Sequence, residues 1–211
     1  MATQVKFLRV DEPAGGLRSR KKTKTRIMIE EAALELFAEQ GYEATTVEQI
    51  AAKVEISPTT FFRYFPTKAD VVLCQDAGLF PHLYQAICDR PASESAMEAV
   101  RQAMREIWVP NVDPLHTRRT NQAAAHSVQM RGLYNDLVRT WLEGIAHALA
   151  KRKGLSSPDL ESFIVARAAL GVFNEAMRAW NNGETGESVE TMFDRAFATM
   201  VRLSAEWARM K

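Results

Sequence analysis

Thr45–Lys68 reads TTVEQIAAKVEISPTTFFRYFPTK, and two helix starts lie inside it. Thr46 and Gln49 have the spacing of a capping box, in which a hydroxyl and an amide satisfy N–H groups that a helix start leaves unmet. The helix they open, about Val47–Lys53, places Val47, Ile50, Ala51 and Val54 on one face. The pattern breaks at Glu55–Ile56. Ser57 then supplies a second N-cap, and Pro58 follows at the first helical position, where its missing N–H costs nothing. This second helix, about Pro58–Phe65, stops because Pro66 disfavours helical backbone in the residue before it. Thr67 and Lys68 open a third. Two short helices joined by so brief a turn pack compactly only when crossed, with the N-terminal end of the second projecting. The spacing predicts a helix-turn-helix whose second helix is sized for a major groove.

Upstream, Ile29, Ala32, Ala33, Leu36 and Phe37 follow helical spacing within a helix from about Arg20 to Gln40, and Gly41 fits the position just past its end. Phe37, Ile50 and Phe61 are the expected core of this small domain. The runs RIMIEEAALELFAEQG (Arg26–Gly41), GYEATTVEQIA and ISPTTFFRYFPTK resemble the N-terminal domain of TetR/AcrR-type transcriptional regulators. The resemblance covers about Arg20–Val72, about a quarter of the chain. That family often has Gly where Glu55 stands. If the turn needs φ > 0 there, a residue with a Cβ costs about 1 kcal/mol.

The chain has 211 residues and a net charge of +1, so its charge balance points to no partner. The distribution of charge says more. Arg18, Arg20, Lys21, Lys22, Lys24 and Arg26 place six positive charges and no negative one in nine residues. Directly before a helix-turn-helix, such a run suits an arm that contacts phosphates or the minor groove. Candidate DNA-binding residues are therefore Arg18, Arg20, Lys21 and Lys22 in the arm, Thr46 at the first cap, and Ser57, Pro58, Thr59 and Thr60 at the projecting helix end. Threonine offers a hydroxyl to base edges and a methyl to thymine. The family resemblance adds Phe62, Arg63, Tyr64 and Lys68, with Tyr64 and Lys68 expected on phosphates and Arg63 on guanine or phosphate. Phe62 departs from the family's frequent Tyr.

From Lys68 onward the pattern is helical throughout, without alternation or a hairpin turn. Helices are expected over about 68–87 (with a kink near Pro81), 93–108 capped by Ser93, 115–129, 132–153, 157–180 capped by Ser157, and 187–210. The fold class is all-α, about nine helices in total, with a three-helix DNA-binding domain and a C-terminal bundle. The expected divisions are a disordered tail over 1–17, a DNA-binding domain over 18–67 and a ligand-binding and dimerisation domain over 68–211. No apolar run approaches the ~18 residues that span a membrane, and no apolar leader precedes the first helix. Cys74 and Cys88 sit fourteen residues apart on one expected helix. At ~1.5 Å per residue that is ~21 Å, too far for a disulfide within the chain. Reduced thiols and a cytoplasmic location follow.

One helix-turn-helix reads few base pairs, so useful affinity calls for a dimer on a palindrome. The last two helices are the expected interface, with Ala166, Ala169, Gly171 and Ala176 allowing close approach and Phe193, Phe197, Met200, Leu203 and Trp207 supplying bulk. The resemblance implies an effector pocket in the middle helices. Met104, Trp108, His126, Met130, Trp141, Phe173, Asn174, Met177 and Trp180 are its candidate lining, although Met and aromatic residues at helical spacing also make ordinary core. Trp141–Gly154, ARAALGVFNEAMRAW and FDRAFATM resemble regulators of actinobacterial type, some of which sense acyl-CoA or related lipids. An effector of lipid-like or aromatic character is thus implied. No metal-ligand spacing, phosphate loop or nucleophile elbow is present, so neither a cofactor nor an enzyme is expected. A DNA-binding regulator without an effector is the nearest alternative, and an all-α enzyme the more remote one.

Overall fold

The structure is a computed structural model describing residues 17–125, 127–183 and 186–210, without the side chains of 17–19, 73–78, 114–115 and 123–125. Of the expected tail over 1–17 only Leu17 is described, as the first residue of a helix; the rest, and His126, lie outside the described residues. Among the latter there are helices and turns but no strand. Nine α-helices follow in order: α1 Leu17–Gln40, α2 Val47–Lys53, α3 Pro58–Tyr64, α4 Asp70–Asp89, α5 Ala96–Ile107, α6 Pro114–Ala125, α7 Val128–Arg152, α8 Leu160–Asn181 and α9 Val189–Arg209. Among the described residues one 3-10 turn, Val109–Asn111, follows α5. Pro81 lies inside α4, which runs through it.

The chain divides into two compact units, and 113–138 belongs with the N-terminal helices rather than with the remainder. The first unit thus holds α1, α2, α3, α6 and the beginnings of α4 and α7. Its core is Ile29, Ala33, Leu34, Phe37, Tyr42, Ile50, Phe61, Phe65, Val71 and Val72, joined by Met130. Phe37, Ile50 and Phe61 are buried as expected. Met130, expected to line an effector pocket, packs in this core. Ser127 explains why: its hydroxyl accepts the Met130 N–H at 3.0 Å, capping α7, and donates to a Glu43 carboxylate oxygen at 2.5 Å. Arg119 of α6 reaches Glu35 of α1 at 3.4 Å, and Lys53 meets the same carboxylate at 3.0 Å.

The second unit gathers 79–112 and 139–210. There α8 packs along α9 and against α5. Its aromatic residues form a chain of contacts: Trp108 lies 4.9 Å from both Trp141 and Phe173, and Phe193 follows Phe173 at 6.3 Å and meets Phe197 at 4.7 Å. Arg101 and Arg105 of α5 both reach Asp194 of α9. The Arg152 guanidinium donates to carbonyls of Arg90, Pro91 and Glu94, closing the loop before α5. Two caps differ from expectation. Ser95, not Ser93, caps α5, and Asp159, not Ser157, caps α8. The Asp159 carboxylate accepts from both the backbone and the hydroxyl of Ser162, which is fully buried, and is paired with Lys153.

The end of α2 resolves the question raised by Glu55. The Ile56 N–H bonds the Ala51 carbonyl at 3.0 Å and the Glu55 N–H bonds that of Ala52 at 3.2 Å. This is a Schellman ending, which needs left-handed backbone just past the helix. Glu55 supplies it at φ 56°. The same ending closes α7, where Leu155 bonds back to Ala150, and there the left-handed residue is Gly154 at φ 73°. A Cβ in this conformation costs about 1 kcal/mol. Glu55→Gly should therefore raise the melting temperature by about 2–4 °C with an unchanged helical circular dichroism spectrum. A lower melting temperature would show that the Glu55 side chain stabilises the turn in some other way.

Candidate nucleic-acid interface

Helix α3 is seven residues long and sharply two-faced. Phe61 and Phe65 are fully buried, whereas Pro58, Thr59, Phe62 and Arg63 are exposed. The Ser57 hydroxyl accepts the Thr60 N–H at 3.1 Å and exchanges a second hydrogen bond with the Thr60 hydroxyl at 2.9 Å. Thr60 is half-buried, and its hydroxyl is already engaged in the cap. Thr59 is left as the threonine with a free face. Phe62 is 51% exposed and stands edge-on to Phe61 at 5.6 Å. A large apolar ring left in water beside a charge has no use in the core of this unit. The Arg63 guanidinium lies 5.5 Å from the Tyr64 ring and has no carboxylate partner among the described residues. Tyr64 itself packs partly against the core, so its ring has a structural role.

Thr46 caps α2 through the expected capping box, with the Gln49 N–H donating to its hydroxyl at 3.2 Å and the Gln49 amide oxygen accepting its N–H at 2.8 Å. Gln40 donates to that same amide oxygen and to Thr45, fixing the end of α1 against the start of α2. The basic run is helical, because α1 begins at Leu17 instead of Arg20. Arg20, Lys21, Lys22 and Lys24 face water wholly or in part and make no ion pair among the described residues, while the side chain of Arg18 lies outside them. Arg26 is held inward, pairing with Glu30 and lying 4.5 Å over the Phe65 ring.

Lys68 differs most from expectation. Its ammonium donates to the carbonyls of Tyr42 at 2.7 Å and Thr45 at 2.8 Å, and sits 4.3 Å from the centre of the Tyr42 ring. Burial pulls its pKa below the usual lysine value. An ammonium has three donors, and two are taken by the loop between α1 and α2. The residue expected on phosphate braces that loop in the structure. No local pattern signals it, since the partners lie 26 and 23 residues earlier.

An exposed helix end, an exposed aromatic ring, an arginine without a carboxylate and a basic stretch without ion pairs are thus carried by one compact unit. Comparison with known proteins agrees. Residues 29–73 match the family described as bacterial regulatory proteins, tetR family, and residues 94–204 match the MftR C-terminal domain. The HTH-type transcriptional regulator TcmR of Streptomyces glaucescens is 34% identical, over 92% of this chain and 91% of that protein.

The chain belongs to the TetR family.

The regulator MftR of Mycobacterium tuberculosis is 26% identical over 88% of this chain and 96% of that protein. Two solved structures show the fold. A TetR-family regulator from Syntrophomonas wolfei matches with a TM-score of 0.61 at 18% identity, covering 87% of this chain and 96% of that one. NalD, the secondary repressor of the MexAB-OprM multidrug efflux pump in Pseudomonas aeruginosa, matches with a TM-score of 0.58 at 19% identity, with the same coverage of each chain. The protein is a DNA-binding transcriptional regulator of the TetR family and not an enzyme. No described helix is long and apolar enough to cross a membrane.

In this TetR protein the remaining candidate residues fall into two groups. Met104, Trp108, Trp141, Phe173, Asn174, Met177 and Trp180 share the second unit, whereas Met130 does not. Of the residues expected between subunits, Ala166, Ala169, Ala176, Phe193 and Phe197 are buried within the chain itself, because α8 packs along α9 and against α5 there. Gly171, Leu203 and Trp207 are exposed, and Met200 is half-buried.

The contrast between Lys68 and Arg63 is measurable. Lys68→Gln should lower stability by about 1–3 kcal/mol, because two carbonyls are deprived of a charged donor. Arg63→Ala should leave melting unchanged and weaken binding to operator DNA about tenfold, in line with the worth of one side-chain contact to base or phosphate. Thermal melting beside an electrophoretic mobility titration separates the two; equal loss of DNA affinity without a drop in melting for Lys68→Gln would return Lys68 to the DNA.

Proposed function

We propose that the protein is a one-component repressor that binds a palindromic operator as a homodimer and is released by a small effector held in the second unit. The observation that carries the reading is the exposed face of α3, with Thr59, Phe62 and Arg63 turned to water in the same unit as Arg20, Lys21, Lys22 and Lys24. Thr59 is placed for base edges, Phe62 for a thymine methyl or a sugar, and Arg63 for guanine or phosphate. The basic turns of α1 contact phosphate. Residues 18–67 are accordingly the DNA-binding domain, braced by 113–138, and the rest serves effector binding and dimerisation. With its operator on the chromosome, the protein works in the bacterial cytoplasm.

Support for the dimer comes from what α8 and α9 leave uncovered. Leu160 and Ile164 on α8, and Val201, Leu203, Trp207 and Met210 at the end of α9, are exposed. Trp207 is 62% exposed. A row of large apolar side chains at the end of a long helix suits a symmetric helix–helix interface. Support for the effector comes from the aromatic chain around Trp108. An effector acts only through its differential affinity for operator-competent and incompetent states, and α4, which starts in the first unit and ends in the second, is the segment proposed to shift between them.

Two measurements test this. Replacing Arg20, Lys21 and Lys22 with Gln should flatten the log–log salt dependence of operator binding by about 0.9 for every phosphate no longer neutralised; an unchanged slope would remove the start of α1 from the interface. Trp207→Glu should convert the dimer to monomer in light scattering and abolish tight operator binding. A dimer that survives this change would place the interface elsewhere.

A further inference from the structure

The face that α3 turns to water is short of hydrogen-bonding groups. The Ser57 and Thr60 hydroxyls bond one another at 2.9 Å, and that of Ser57 also accepts the Thr60 N–H at 3.1 Å, so the cap holds both. Pro58 has no backbone N–H to offer. What remains exposed is the Pro58 ring, the Thr59 side chain, the Phe62 ring and the Arg63 guanidinium. All but the last present carbon. They also lie together, because Pro58 and Thr59 precede Phe62 by four and three residues, the spacings that make side chains neighbours on a helix. The Phe62 ring stands at 88° to that of Phe61, which is fully buried. An exposed ring seated edge-on against a buried one has a fixed direction. Around this apolar patch the unit is positive: Arg63, Arg20, Lys21, Lys22 and Lys24 make no ion pair among the described residues. The occupant that fits is apolar where it touches α3 and negatively charged around that point. In a DNA major groove the apolar group on the base edges is the C5-methyl of thymine, and threonine methyls and phenylalanine rings are side-chain groups that meet it.

We infer that α3 reads its operator through pyrimidine C5-methyl groups, with Phe62 seated on one and the Thr59 methyl and Pro58 ring on the next, so that binding responds to the methylation state of the site. This rests on the reading of the α3 face as the surface that meets bases, and it specifies the chemistry read there. Three residues of helix rise about 4.5 Å, against about 3.4 Å for one base step, so Thr59 and Phe62 are spaced for two adjacent base pairs. Ordinary DNA carries the methyl on thymine, and cytosine carries it only after 5-methylation. Both put it at the same ring position. Methylation of a cytosine at either place therefore creates the contact that unmodified cytosine lacks. Uracil does the opposite, keeping every hydrogen-bonding group of thymine and losing the methyl. An interface built only on hydrogen bonds from Thr59 and Arg63 would register neither change.

The test uses the full-length protein and the tightest-binding duplex recovered from a random-sequence pool, titrated by fluorescence anisotropy. Each thymine of one half-site, and then its symmetry mate as well, is replaced by deoxyuridine. A methyl taken out of contact is worth about fourfold in affinity. The wild type is expected to lose about fourfold at each of two adjacent positions, and about fifteenfold when one of these is changed in both half-sites. Cytosine at those positions should bind weakly, and 5-methylcytosine should recover about fourfold relative to it. Phe62→Ala, a change at an exposed side chain, should melt as the wild type does, bind more weakly and no longer distinguish thymine from uracil at one position. Thr59→Ser, which keeps the hydroxyl and removes only the methyl, should reduce the distinction at the neighbouring one. Uracil tolerated at every position of a tightly bound duplex would overturn methyl readout and leave the operator-binding regulator standing. Discrimination that survives in both variants would place the methyl contact on other residues and overturn the proposal equally. A pool that yields no sequence bound better than bulk DNA would count against the operator reading as well.

Discussion

The Lys68 ammonium is the constraint on which the DNA-binding unit depends. It bonds two carbonyls of the loop between α1 and α2 from a position just after α3, and lies against the Tyr42 ring. The loop, the turn and the end of the recognition helix are thereby held together by one side chain. Helices of seven residues are far too short to persist by their own hydrogen bonds. Helices α2 and α3 exist because caps, the brace and the burial of Ile50, Phe61 and Phe65 fix them from outside. Tyr42 completes the arrangement, packing 5.0 Å from Phe37 while offering its face to the ammonium. A recognition helix fixed in this way has little order left to acquire on DNA, so its contacts are not diluted by an ordering cost.

That rigidity is gained against local strain. Glu55 occupies left-handed backbone, at φ 56°, in the turn that sets the angle between α2 and α3. The hydrogen bonds from Ile56 and Glu55 to Ala51 and Ala52 hold it there. Two backbone bonds and the packing of Val54 and Ile56 against the core outweigh a penalty of about 1 kcal/mol. The turn is thus determined by its surroundings and only tolerated by its own residue.

What is legible in the sequence follows the range of the interaction. Thr46 with Gln49, and Ser57 with Pro58, are caps complete within four residues, and both form as expected. Where several capping residues stand close together, local pattern does not choose among them. Asp159 prevails over Ser157 because its carboxylate also meets Ser162 and Lys153, and the Lys153 pair depends on how α7 ends. Helical periodicity indicates that a face is buried and is silent on what covers it. Ala166, Ala169 and Ala176 are therefore as compatible with a subunit interface as with the packing inside the chain that the structure shows. Met130 is ambiguous for the same reason; a Met at helical spacing fits any interior, and only Ser127 and Glu43, joined across 84 residues, direct it into the core of the first unit. The Lys68 brace has no periodicity at all. The buried Trp141 indole N–H and Asn181 amide atoms, which meet no hydrogen-bond partner, are likewise invisible in sequence, since an unmet hydrogen bond is a property of packing.

The end of α9 adds to exposure a second reason for a partner. Every residue from 201 to 210 is exposed, although nearly all are helical. Isolated helices of this length are marginal in water, and most helical stability in proteins comes from a packed face. Contacts within the segment, such as Arg202 with Glu206 at 2.8 Å, contribute only tenths of a kcal/mol each. Val201, Leu203, Trp207 and Met210 would gain far more by leaving water, about 1.5–3 kcal/mol for each large side chain fully buried. In the proposed dimer these side chains cover one another, and helix formation at the end of α9 becomes linked to association. Folding stability then depends on protein concentration, as it does wherever a partner binds only the folded state. Under the same proposal, an operator read by two recognition helices at once draws on that equilibrium, so a chain too dilute to dimerise would lose affinity for DNA.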